Sequence, residues 1–121
     1  MILADTSIWV DHLRSGAAGL NERLLAAEVL GHPFIIGELA CGHLRRRSEI
    51  LALLQDLPQA RVGTDAEVLY YIERYRLMGR GIGYVDAHLL AATALTPAAR
   101  LWTADRKLHE VAVGLGLARE S

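Results

Sequence analysis

The sequence predicts an α/β fold in which a mainly parallel central sheet carries helices on both faces, a three-layer α/β/α arrangement, and three observations predict it. Two short apolar segments, Met1 to Ala4 and Arg100 to Thr103, run into acids at Asp5 and Asp105, the pattern of a buried strand followed by a helix cap. Segments of helical periodicity fill the space between them, so strands and helices alternate. The 121 residues suit one domain, 1–121, with a real core.

Each element has a local reason. After the first strand, Asp5, Thr6 and Ser7 open a helix. Ala17, Leu20, Leu24 and Ala27 recur at helical spacing and predict an amphipathic helix that finishes near Gly31. Pro33 fits a first helical position, because its missing N–H costs nothing there; that helix carries Phe34, Ile35, Glu38, Leu39 and Cys41 and is expected to continue into Arg45, Arg46 and Arg47. Ser48 is expected to cap the next helix, which runs through Leu57 and is closed by Pro58, and Arg61 to Gly63 is a weak strand candidate.

Thr64, Asp65, Ala66 and Glu67 form a capping box. The long helix it opens has Val68, Leu69, Ile72 and Tyr75 as its expected buried stripe and ends at Gly79 to Gly81. Tyr84 to Leu95 is a helix apolar almost all round, with Asp86 in its first turn and Pro97 beyond its end. The strand Arg100 to Thr103 follows, then a helix from Arg106 to Ala112 and a weak strand near Leu115 to Ala118.

Composition excludes several classes. Hydrophobic residues make up 52% and charged residues 22%, a globular balance rather than a disordered one. No apolar run approaches the ~18 residues that span a bilayer, and no basic region precedes an apolar stretch; the expectation is a soluble cytoplasmic protein that does not engage membranes. Cys41 is the single cysteine, so an intramolecular disulfide and a multi-cysteine metal site are excluded. A net charge of -1 gives no global nucleic-acid signal, so any such activity is local.

Sites in open parallel sheets form beyond the C-terminal ends of strands, where strand order reverses. Asp5 and Asp105 belong there. Asp86, in a helix first turn, also has a bland reading as a cap near the positive end of the helix dipole. Glu38 lies on an apolar helix face, and its bland reading is a solvent-facing or Arg-paired residue. Pooled at one site, four acids would raise one another's pKa unless cations favoured the ionised forms. Hard oxygen donors without cysteine favour Mg²⁺ or Mn²⁺ over zinc. Two such ions suit phosphodiester hydrolysis.

The segment Ile2 to Val10, ILADTSIWV, resembles the opening of PIN-domain ribonucleases, and more narrowly the VapC-type toxins of type II toxin-antitoxin pairs. His32 to Gly42 (HPFIIGELACG), Gly81 to Ala91 (GIGYVDAHLLA) and Leu101 to Leu108 (LWTADRKL) are similar to further blocks of that family, in the same order. The resemblance implies that Asp5, Glu38, Asp86 and Asp105 bind metal and carry catalysis, with Thr6 and Thr103 in support. It also implies RNA as substrate, a homodimer, and a VapB-like antitoxin as partner.

Other residues are weighed beside these. Arg80, between two glycines, and Arg106 with Lys107, just after Asp105, are candidates to hold substrate phosphate, although Arg106 has the alternative of pairing with a ligand acid. Arg45 to Arg47 read better as a solvated helix end. The five histidines lack ligand spacing and suit core or surface roles; Trp9 and Trp102 suit the core or a dimer contact, Tyr84 suits base stacking, and Cys41 suits a small buried packing role. Two rival functions remain: a receiver-like phospho-acceptor domain using Asp56 and Lys107, and a binding-only module without cleavage.

Overall fold

A computed structural model of the chain describes residues 1–16 and 19–119. Three parallel strands form the sheet in the order β2-β1-β3: β1 (Ile2–Ala4), β2 (Val29–Leu30) and β3 (Arg100–Trp102). Single parallel bridges extend it at both edges, Gly31 with Gln59 and Leu101 with Ala118. Helices α1 (Thr6–Ser15), α2 (Leu20–Leu25), α3 (Pro33–Ala40), α4 (Arg47–Asp56), α5 (Asp65–Tyr75), α6 (Tyr84–Leu95) and α7 (Arg106–Gly114) flank it.

The chain leaves β1 toward one edge to make β2, then crosses back over β1 to make β3. Right-handed crossovers in opposite directions put their helices on opposite faces, which gives the three layers. After β3 the chain continues to the far edge, at Ala118. Connections therefore diverge from β1 and β3, and the crevice beyond their C-terminal ends is the topological switch point.

The core is centred on β1, with Leu3 and Ala4 sealed between layers and packed among Trp9, Leu20, Leu90, Leu101 and Leu108. Helix α6 is buried on nearly every side, from Ala87 through Thr93, as its unbroken apolar character predicts. The Thr64 capping box forms as expected, with Thr64 Oγ1 accepting from Glu67 N at 3.1 Å and Glu67 Oε1 from Thr64 N at 2.9 Å.

Several expectations are corrected. Ala17 lies outside the described residues, and the helix after it is shorter than expected: Ala27 sits in the left-handed region (φ 57) and Val29–Leu30 pair with β1 instead of continuing to Gly31. Helix α3 stops at Ala40, so Arg45 to Arg47 are no part of it. Arg46, itself left-handed at φ 52, takes the cap position of α4 in place of Ser48. Arg61 to Gly63 is no strand; the pairing falls at Gln59, while Arg61 N donates to Thr96 Oγ1 at 2.9 Å. The strand near Leu115 to Ala118 reduces to one bridge.

On α5 the buried stripe is Val68 with half-buried Tyr71 and Ile72, packed on Ala87 and Ala91 of α6. Leu69 and Tyr75 are 57% and 42% exposed: Leu69 points away from α6, one residue round the helix from Val68. The helix closes at Arg76, left-handed at φ 53, before the glycines expected to end it. Cys41 is exposed, not buried, because α3 ends there.

Candidate active site

The switch-point crevice is built from strand ends. Asp5 follows β1 directly, and its backbone N–H donates to Trp102 O at 3.0 Å, which extends the β1–β3 ladder by one residue and sets Asp5 beside Thr103. Its side chain caps α1 by accepting from Ile8 N at 3.3 Å. Only 6% exposed, the carboxylate also accepts from Ser7 Oγ at 2.5 Å and, on its other oxygen, from Thr103 Oγ1. A buried carboxylate needs such donors, since an unpaired one is costly.

Thr103 and Ser7 tie the two strand ends together. Thr103 Oγ1 accepts from Asp105 N at 3.0 Å while donating to Asp5. Ser7 Oγ accepts from Ala104 N at 3.0 Å while donating to the other oxygen of Asp5. Both hydroxyls thus act as donor and acceptor at once and fix the β3–α7 turn against Asp5. Asp105 caps α7, accepting from Leu108 N at 3.0 Å, and is exposed to the crevice.

The remaining acids come from helices. Asp86 Oδ2 accepts from Gly83 N at 3.0 Å, which orients it in the first turn of α6. Glu38, on exposed α3 surface, accepts from Thr6 Oγ1 at 2.6 Å, so the solvent-facing position left open by its sequence is correct and it also has a hydroxyl partner. The Asp86 carboxyl is pushed above the ordinary carboxylate range, first by burial and then by the charges of Asp105, Asp5 and Glu38, against the opposing Gly83 hydrogen bond. All three other acids therefore lie within electrostatic reach of Asp86. Each is held by its own hydrogen bonds rather than drawn to a common point, and among the described residues no three His, Cys, Asp or Glu side chains lie close enough together to hold a metal ion as placed.

The neighbouring candidates divide. Arg106 forms an i,i+4 ion pair with Glu110 at 3.2 Å, not with a ligand acid. Arg80 is exposed ahead of α6. Arg47 is structural: its guanidinium donates to Ala40 O at 2.5 Å and Gly42 O at 3.2 Å, closing the C-terminus of α3. Arg45 and Arg46 line a groove of about 690 Å³ with Arg14 and Leu39. Trp9 is core and Trp102 lies under the Arg119 guanidinium, 3.8 Å from its ring centre. Tyr84 donates its hydroxyl to Asp65 at 2.9 Å and meets His88 edge-on.

Sequence reasoning missed Ser7. A Ser two residues after a strand-end acid is the available signal, but capping explains it equally well. His32, one of the five histidines expected in core or surface roles, is wholly buried. It caps α3 through Nδ1, which accepts from Phe34 N at 3.0 Å. Asp56 lies at the exposed end of α4, far in the chain from any strand end, which removes the geometry a receiver-like phospho-acceptor needs.

A three-layer parallel sheet with Asp5 and Asp105 at adjacent strand ends defines a class, and the comparison with known families agrees: residues 2–114 match the PIN domain model, and the chain belongs to that family. Within it the chain is 48% identical over 118 residues, 98% of its own length and 95% of the relative's, to Ribonuclease VapC32 of Mycobacterium tuberculosis strain CDC 1551 / Oshkosh. The same protein of strain ATCC 25618 / H37Rv matches equally.

Proposed function

We propose that this chain is a single-domain, metal-dependent endoribonuclease, the toxin of a toxin-antitoxin pair, acting through Asp5, Glu38, Asp86 and Asp105. The observation that carries the reading is the pair of strand-end acids, Asp5 and Asp105, tied together at the switch point through Thr103 and Ser7; Asp86, whose carboxyl is raised by burial and by the charges of the other three acids, adds to it. The near full-length similarity to Ribonuclease VapC32 supports RNA as the substrate. RNA cleavage in turn supports action in the cytoplasm, and among the described residues no helix is long and apolar enough to cross a membrane.

The donor set fits a hard divalent cation: only carboxylate oxygens, with hydroxyls behind them. Asp5, Asp86 and Asp105 would hold Mg²⁺ or Mn²⁺, with Glu38 beside them. Such an ion, when bound, supplies charge neutralisation of the phosphate and acidifies a water. The chain's own residues do the positioning. Ser7 and Thr103 leave Asp5 little freedom to rotate, Gly83 sets the direction of Asp86, and Thr6 fixes one oxygen of Glu38. Rigid carboxylates of this kind favour a preorganised site over one that must rearrange. Arg80 is a candidate for substrate phosphate.

A homodimer and a VapB-like antitoxin complete the reading. Exposed Leu69, Tyr70 and Tyr75 on α5 support a partnered surface. The testing experiment incubates purified protein with structured RNA in Mg²⁺ or Mn²⁺. Cleavage that disappears with chelator and with Asp5→Asn is the expected result; cleavage unaffected by Asp5→Asn would contradict the assigned site.

A further inference from the structure

Lys107 stands in the first turn of α7, two residues beyond Asp105, and its side chain folds across the glycine-rich turn that leads into α6. A Cβ placed on Gly81 would lie 2.6 Å from Lys107 Cδ, 3.2 Å from Cε and 3.0 Å from Nζ. The distal half of the lysine therefore rests on bare backbone. Gly81 also has φ +79, a left-handed geometry that favours glycine there, and any side chain at this position would displace the end of Lys107. Two residues on, Gly83 N–H holds Asp86.

The ammonium is thus held between the element that carries Asp105 and the one that carries Asp86. The ion pairs among the described residues are Arg23 with Glu28, His88 with Asp65, and Arg106 with Glu110. Lys107 takes part in none of them. Its neighbour Arg106 is committed to Glu110, so of the two cations that open α7 Lys107 is the one left to act on something else. A lysine is a point charge on a flexible stem, and seating that stem on Gly81 removes part of the freedom that ordinarily weakens an exposed ion pair. Acids repel a polyanion, so a cation at the rim favours a substrate phosphate at this crevice beyond what a bound metal ion supplies.

We propose that Lys107 is a phosphate-binding residue of this site: seated on Gly81, its ammonium holds a non-bridging oxygen of an RNA phosphate at the edge of the acid crevice. The assignment rests on the ribonuclease reading and names the side chain that anchors its substrate. The competing role is purely structural, a lysine stem that covers Gly81. Lys107→Met separates the two, because it keeps an unbranched stem over the glycine and removes only the charge; Lys107→Arg keeps the charge.

The experiment measures single-stranded RNA affinity in Ca²⁺ across a range of salt, together with steady-state cleavage in Mg²⁺ or Mn²⁺. For Lys107→Met the slope of log affinity against log salt should shrink by about 0.7, the value for one lost phosphate contact on a single strand. KM should rise about threefold to fivefold with kcat nearly unchanged, as for loss of binding common to ground and transition states. Lys107→Arg should retain the wild-type slope. A Lys107→Met protein with wild-type slope and KM would overturn the proposal. The slope is read without turnover, so it tests Lys107 even if the chain proves unable to cleave RNA, an outcome that would instead remove the ribonuclease reading.

Discussion

The ends of β1 and β3 do the same local job as the end of β2, yet only the first two lie at the topological switch point. Each strand runs within one to three residues into a side chain that caps the next helix: Asp5 caps α1, His32 caps α3 and Asp105 caps α7. Asp5 and Asp105 flank the crevice where chain connections diverge, and hydroxyls of Ser7 and Thr103 serve both sides of it. His32 lies one strand further out, wholly buried, and its Nε2 has no hydrogen-bond partner. Capping is thus a local property, whereas catalytic use depends on where topology puts the cap.

The strongest way to break this contrast is to exchange charge while keeping the cap. Asn caps a helix as well as Asp does, so Asp5→Asn should melt within about 1 kcal/mol of wild type yet lose RNA cleavage by at least about a thousandfold. Initial rates beside thermal melts check this. A large loss of stability with proportionate loss of rate would reduce Asp5 to a structural cap.

At the β2 end the expected effect is on stability against pH. Burial, and secondarily the charge of His88, lowers the His32 pKa from 6.5 to about 4. The folded chain therefore keeps His32 neutral while the unfolded chain takes up a proton. That contribution is complete above pH 6.5 and is lost as pH falls toward 4, by as much as about 3 kcal/mol. In His32→Asn, which retains a capping side chain, denaturant midpoints measured from pH 7 to pH 4 should fall less steeply than in wild type. An identical slope would show that another group controls acid stability.

Removing the shared hydroxyl sharpens the contrast. Thr103→Val takes a donor from buried Asp5 and an acceptor from Asp105 N, and should cost about 1–3 kcal/mol of stability and about tenfold in cleavage rate; Thr103→Ser should restore both. Arg106→Ala is the smallest effect, within about 0.5 kcal/mol, because its pair with Glu110 is solvent-exposed.

Much of the fold was legible because the signals were local. The Thr64 box, the apolar run of α6 and the acids after β1 and β3 are each decided by a few neighbouring residues. Strand β2 was not legible: two residues carry no periodicity, and Val29–Leu30 are a strand only because β1 lies beside them. Likewise, whether Leu69 or Tyr71 of α5 turns inward depends on where α6 lies. In the candidate site, Asp5 and Asp105 could be put at strand ends from the sequence, and the family resemblance joined Glu38 and Asp86 to them, but Ser7 bridging to Ala104 and Lys107 seated on Gly81 join residues 97 and 26 positions apart. Those contacts arise from folding, not from spacing.

If four carboxylates on separate elements act as one metal site, calorimetry of Mn²⁺ binding to the wild type, Asp86→Asn and Asp105→Asn should show binding by the wild type and at least about a tenfold loss of affinity in each variant. Equal Mn²⁺ affinity in all three proteins would contradict it.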